Sequence, residues 1–198
     1  GEITSSDDPQ LNGDLRVSTR SLRWADSQFG GVVPLGHLVE AFSLSGPVSL
    51  SSRGLLLPQA SIEIDRYRID GAITARFDQA RLAVSGTLAA EELQLARFLR
   101  PLLPTRGSDG GWSRDALATR WLEQADLDLR LSITKAHYER MPVENIAGSM
   151  QIRNGRLEIA LGRAGLHGGT IKGRLIMSPS PAGYDVRLTG QADKVNLL

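Results

Sequence analysis

Asp14–Trp24 reads DLRVSTRSLRW, and Asp128–Tyr138 reads DLRLSITKAHY. Asp14, Leu15, Arg16 and Ser18 recur without a gap as Asp128, Leu129, Arg130 and Ser132, and the aromatic Trp24 returns as Tyr138. In the second stretch Leu127, Leu129, Leu131 and Ile133 alternate with Asp128, Arg130, Ser132 and Thr134. Successive side chains of a strand point to opposite faces, so this spacing predicts a half-buried strand with one apolar and one polar side. Parity then slips at matching places, to Leu22 and Trp24 in one stretch and to Ala136 and Tyr138 in the other. A bulge or tight turn there would re-aim the strand.

The match continues along the chain. Arg53-Gly54 falls against Asn154-Gly155, Gly71 against Gly173, Ser85-Gly86 against Thr189-Gly190, and Leu93-Gln94-Leu95 against Val195-Asn196-Leu197. The ordered series predicts an internal duplication, with repeats over about 14–95 and 128–198 joined by a helical linker over 96–127 in one domain spanning 1–198. The spacing between matched residues shortens after the first block, so the first copy carries an insertion near 31–45. There Pro34 precedes Leu35, Leu38, Val39 and Phe42 at i, i+3, i+4 and i+7, which predicts a short amphipathic helix. Two more apolar turns are predicted, one through Leu95, Phe98, Leu99 and Leu102, the other near 114–123 behind Ser113 as N-cap. Repeats of this kind bury their apolar faces by stacking into one sheet or solenoid.

The same alternation appears at Ile62–Ile64, Leu82–Val84, Leu157–Leu161, Ile171–Met177 and Val186–Leu188. Asn154-Gly155 is a two-residue hairpin signal, and Pro179–Gly183 predicts a longer turn. The fold class expected is mainly β, an elongated antiparallel sheet with about three short helices.

Composition bounds the function. The chain has 198 residues, 23 basic and 22 acidic, for a formal charge of +1, and no basic stripe of the kind phosphate backbones require. Only 5% of residues are aromatic, which argues against a base-stacking platform, so no nucleic acid partner is expected. Lysine occurs only at Lys135, Lys172 and Lys194. With no cysteine, disulfides, thiolate catalysis and Cys-ligated zinc are excluded. No apolar run reaches the ~20 residues a spanning helix needs. The opening Gly1-Glu2-Ile3 has neither initiator Met nor signal-like segment, so a piece of a longer protein is expected.

A search for chemistry returns little. Of His37, His137 and His167, only His37 has a carboxylate at helical spacing, Glu40, which is too little for a metal site. No serine lies in a G-x-S-x-G elbow. Ser132 and Lys135 spell S-x-x-K, but strict strand alternation would put them on opposite faces. Gly107–Gly111 lacks the Lys-Ser/Thr ending of a phosphate-binding loop. No enzyme activity, cofactor or metal is expected. What remains is an aliphatic strand face, which reads either as a closed core or as a partly open surface for an acyl chain. The candidate lining is Leu129, Leu131, Ile133, Ile152, Leu157, Ile159, Leu161, Ile171, Leu175, Val186 and Leu188.

Residues 125–198 resemble the C-terminal domain of the AsmA family. The resemblance is carried by the LDLRLS strand, the Asn154–Leu157 turn, the Leu166–Gly173 step LHGGTIKG, and the closing Leu188-Thr189-Gly190 with Val195-Asn196-Leu197. In the family the step often opens Y-G-G, and His167 takes the aromatic position here. GTLAAEELQLARFLRPLLP (86–104) and Gly110–Ser113 are also similar to the family, so the resemblance covers roughly 13–198. AsmA-like proteins are related to TamB and to bridge-like lipid transfer proteins, whose stacked strands form a taco-shaped apolar groove. The resemblance implies a periplasmic module, anchored to the inner membrane of a Gram-negative bacterium through a segment outside this stretch. It further implies phospholipid or another acyl-chain lipid as partner, and a role in phospholipid transport and outer-membrane biogenesis. The alternative is a non-catalytic scaffold assisting the assembly of outer-membrane proteins.

Overall fold

The computed structural model describes residues 2–4, 9–20, 39–77, 80–99, 119–181 and 183–196. Their strands are β1 (Glu2–Thr4), β2 (Gln10–Thr19), β3 (Phe42–Ser51), β4 (Gly54–Ile64), β5 (Tyr67–Arg76), β6 (Leu82–Gln94), β7 (Ala125–Tyr138), β8 (Met141–Arg153), β9 (Arg156–Leu166), β10 (Gly169–Ser180) and β11 (Gly183–Asp193). They lie in one sheet in the order of the chain, with β1 and β11 at its edges. Among the described residues the sheet is open: β1 and β11 each pair on one side only.

All neighbours run antiparallel except β6 and β7, which are parallel in the register Leu82↔Ala125 through Gln94↔His137. The expected antiparallel sheet is therefore two antiparallel meanders, β2–β6 and β7–β11, joined by one parallel seam. A parallel neighbour needs a crossover of a dozen or more residues. Residues 95–124 supply it, and within them lie the helix α1 (Leu95–Leu99) and a 3-10 turn, Arg120–Glu123.

Turn chemistry closes the meanders. Asn154-Gly155 has φ of 51° and 76°, the left-handed pair a two-residue hairpin requires, and His167-Gly168 repeats it at 45° and 78°. Asp65 (φ 55°) and Glu139 (φ 58°) open two further two-residue turns. Asp65 also ties distant segments together. Its Oδ1 accepts the amides of Glu40 (3.0 Å) and Ala41 (2.8 Å), and its Oδ2 pairs with Arg97 of α1 at 2.8 Å.

Several expectations change. Among the described residues the helical content is α1 and the 3-10 turn. The predicted apolar turn at 95–102 appears as α1, and its later residues lie outside the described ones. The helix expected over 34–42 falls partly outside the described residues, and its last position, Phe42, begins β3 opposite Ile64. Of the helix expected near 114–123, residues 114–118 lie outside the described ones, and Arg120–Glu123 forms the 3-10 turn. Pro179 and Ser180 belong to β10, paired with Tyr184 and Gly183, so among the described residues only Pro181 remains in the predicted long turn.

The predicted parity slip is present in the second half, and three strands share it. Ala90 and Leu93 on β6, Ile133 and Ala136 on β7, and Val143 and Ile146 on β8 are buried pairs three residues apart, all in one apolar cluster. Asn145, between the β8 pair, takes a left-handed φ of 51°. Leu22 and Trp24 lie outside the described residues.

Candidate functional site

Register places the side chains. Starting from Leu11 on β2, the ladder partners run Leu50, Leu55, Ala75, Val84, Leu127, Ile152, Leu157, Met177 and Val186 on β11. That row holds one residue from each of β2–β11, and each is apolar. One step along the strands the row is mainly polar: Asn12, Ser49, Leu56, Thr74, Ser85, Asp128, Gln151, Glu158, Ile176 and Arg187. Cross-strand neighbours share a face, so the sheet has one apolar side and one mainly polar side, interrupted at Leu56 and Ile176.

The eleven candidate residues all lie on the apolar side. Leu129, Leu131 and Ile133 stand on β7, Ile152 on β8, Leu157, Ile159 and Leu161 on β9, Ile171 and Leu175 on β10, and Val186 and Leu188 on β11. Leu129 faces Met150, which faces Ile159, then Leu175, then Leu188, a second apolar row across five strands. Burial sorts the set into two kinds. Ile133 (2% exposed), Ile152 (0%) and Leu157 (4%) are core residues, whereas Val186 (56%) and Leu188 (75%) are open to solvent. The other six are half-buried.

The buried ones belong to two clusters at opposite ends of the strands. Around Ile133 gather Tyr67, Ile69, Leu93 and Ile146, with Leu95 of α1 packed against them. Around Ile152 gather Leu157, Met177 and Leu122 from the 3-10 turn. Leu129 and Leu175 pack with neither cluster and lie between the two. Among the described residues no second sheet or long helix covers this middle zone. The first-half members of the long row, from Leu11 to Val84, were missing from the candidate set. Their signal was the same alternation, weaker because Gly, Ala and Ser dilute it.

The backbone approaches itself closely on the apolar side. A Cβ on Gly71 would collide with the carbonyl oxygen of Thr87 on β6, and one on Gly86 would come within 2.5 Å of the Ala72 oxygen on β5. Glycine inside a strand marks a bend or a close backbone approach, and here only glycine leaves room for it.

On the polar side, Arg174 Nε donates to Glu158 at 3.0 Å, and Arg68 Nε donates to both Asp70 oxygens at 3.0 and 2.9 Å. That hydrogen bond, with a second from Ser61, holds the Asp70 carboxyl below the ordinary carboxylate range, and it raises Arg68 in turn. A hollow of ≈ 480 Å³ lies mainly on this side, among Thr87, Arg130, Ser132, Ala147, Ser149 and Ala160. Ser132 and Lys135 are both exposed: the shift between Ile133 and Ala136 brings them to the same side, contrary to the strict alternation expected. His137 is exposed on β7, His167 sits in its turn, and His37 lies outside the described residues. Among the described residues no three His, Cys, Asp or Glu side chains cluster as metal ligands, and no helix is long and apolar enough to cross a membrane.

No protein-family model, curated protein or solved structure matches the chain.

Proposed function

We propose that this chain is an AsmA-like module that binds phospholipid acyl chains along the apolar side of its sheet. In this reading it contributes to phospholipid movement between the inner and outer membranes from a periplasmic position. The observation that carries the proposal is the uncharged row from Leu11 to Val186, one apolar residue on each of β2–β11, with a mainly polar row beside it. A sheet face of that width presents acyl chains with a matched surface at about 0.8 kcal/mol per buried methylene, and asks for no polar partner. The close approaches at Gly71 and Gly86 support a sheet bent toward its apolar side, the curvature a groove needs. Localisation and transport rest on the resemblance of residues 125–198 to the AsmA domain.

The duplicated architecture belongs to the same proposal. Its support is that three of the matched positions fall on strands five apart: Asp14 and Asp128 on β2 and β7, Gly71 and Gly173 on β5 and β10, Gly86 and Gly190 on β6 and β11. Register also slips in corresponding ladders, between Leu57 and Ala60 for β4 against β5, and between Ile171 and Gly173 for β10 against β9. The insertion in the first copy corresponds to the connection 20–41, where the second copy has the two-residue turn Glu139-Arg140.

A scaffold that offers strand edges to client proteins is the second reading, and one observation favours it: among the described residues β11 has an outer edge without a strand partner.

Native mass spectrometry after incubation with phosphatidylethanolamine/phosphatidylglycerol liposomes tests the lipid reading. Bound phospholipid is expected on the wild type and lost in Leu129→Asp and Leu175→Asp, whose side chains pack with neither core cluster, while circular dichroism stays unchanged. Full lipid occupancy in both variants, or none in the wild type, overturns it.

A further inference from the structure

We propose that the two edges of this sheet are complementary, and that a second copy of the chain docks its β2 in parallel onto β11. The template is the seam already inside the molecule, where β7 lies parallel to β6. The inference rests on the strand equivalence proposed above, not on lipid binding. By that equivalence β11 corresponds to β6, and β2 corresponds to β7. Each half therefore ends in a strand shaped to receive the opening strand of the next.

Register follows from the internal seam by two routes. Matching the sequence blocks, Asp14 with Asp128 and Gly86 with Gly190, sets Thr189 opposite Asp14. Matching the tight turns, Ser52-Arg53 with Asn154-Gly155 and Asp65-Arg66 with His167-Gly168, sets the same pair. Leu188 then meets Gly13, Gly190 meets Leu15, and Ala192 meets Val17, so the apolar side continues across the joint. Leu188 and Val17 are exposed in the single molecule, at 75% and 47%. On the polar side Arg187 stands diagonal to Asp14, and Asp193 diagonal to Arg16, opposite charges at a spacing where cross-strand pairs interact.

Both edges are available among the described residues. β11 pairs only with β10 over Gly183–Asp193, and β1 covers β2 only at Gln10–Asn12, which leaves Gly13–Ser18 without an outer strand among the described residues. The β11 edge has neither a proline nor a bulge against β10, the devices that blunt an edge against association. Because the two surfaces differ, the contact is head-to-tail and its free ends can take further copies.

The chain contains no cysteine, so introduced thiols report alone. Parallel strands sit about 4.8 Å apart, within disulfide reach. Mild oxidation of the double variant Asp14→Cys/Thr189→Cys, without lipid or detergent, is expected to give a non-reducing gel ladder of dimers and higher multimers. The slipped pair Asp14→Cys/Arg187→Cys should give several-fold less. Leu188→Lys added to the first pair should abolish the ladder while leaving the circular dichroism spectrum intact. Dimers from Thr189→Cys alone would mean two β11 edges pairing with each other. A disulfide confined to the monomer would mean that one sheet closes on itself. Either result, or equal yield from the slipped pair, overturns the proposal. A ladder from a protein that takes up no phospholipid would uphold the joint and remove the lipid reading.

Discussion

Gly71→Ala is the substitution whose consequence the geometry fixes most tightly. The new methyl group would overlap the carbonyl oxygen of Thr87, a backbone atom held in the β5–β6 ladder, so no side-chain rotation relieves it. Forcing a methyl into filled space costs about 1–3 kcal/mol. Pushing the strands apart weakens one or two ladder hydrogen bonds, worth about 1 kcal/mol each. Against this, removing a mid-strand glycine returns roughly 0.5–1 kcal/mol of chain entropy. The net expectation is a loss of about 2–4 kcal/mol. Gly173→Ala is the matched control, because the corresponding Cβ on β10 would stand 3.4 Å from the Thr189 oxygen. There the entropy gain is nearly unopposed, and the change should stay within about 1 kcal/mol of wild type. Urea unfolding of both variants checks the contrast, read as a midpoint shift at constant slope. Hydrogen exchange should show the Gly71→Ala loss concentrated in β5 and β6. A Gly71→Ala protein as stable as wild type, or a Gly173→Ala protein equally damaged, would refute the close approach and the curvature inferred from it.

Burial supplies the next contrast. Ile152→Ala removes a side chain with 0% exposure from the cluster of Leu122, Leu157 and Met177, and should cost about 2–5 kcal/mol in chemical denaturation. Leu188→Ala, at 75% exposure, should change stability by no more than about 0.5 kcal/mol in the same assay. Arg68→Gln should let the Asp70 carboxyl titrate closer to the ordinary carboxylate range, followed by carbon-13 NMR of the side chain. Since folding lowers the Asp70 pKa, the pair contributes stability above the ordinary carboxylate range and loses it as pH falls through the depressed value. An Asp70 titration that does not move in Arg68→Gln would remove Arg68 as the cause.

The face assignment was legible because strand alternation is a local property. Leu129 and Asp128 part to opposite sides wherever their strand lies, and all eleven candidates share one side for that reason. Asn154-Gly155 was legible for a similar reason, since two left-handed residues in succession favour one turn. Which strand neighbours which is a long-range property, and the parallel pairing of β6 with β7 left no local mark. The failure at Ser132 and Lys135 has a different cause. Alternation is a rule for an undistorted strand, and the shift at Ile133–Ala136 depends on neighbours that bend together, including Asn145 at φ 51°. Burial was also out of reach: Ile152 and Leu188 read alike in sequence, yet one is capped by Leu122 and the other stands on the open edge strand.

The parallel seam also sets an order of events during folding. In the second meander every neighbour is joined by a two-residue connection, and in the first β3–β4 and β4–β5 are, so pairing there begins between segments that are already close. The β6–β7 ladder forms only after residues 95–124 have been looped back, and chain closure over that distance must be completed before any contact there returns energy. The two meanders are therefore the early units, and their union is the late, non-local step. Destabilising the seam by a given amount should leave refolding within each meander at its original rate and slow only the joining of the two.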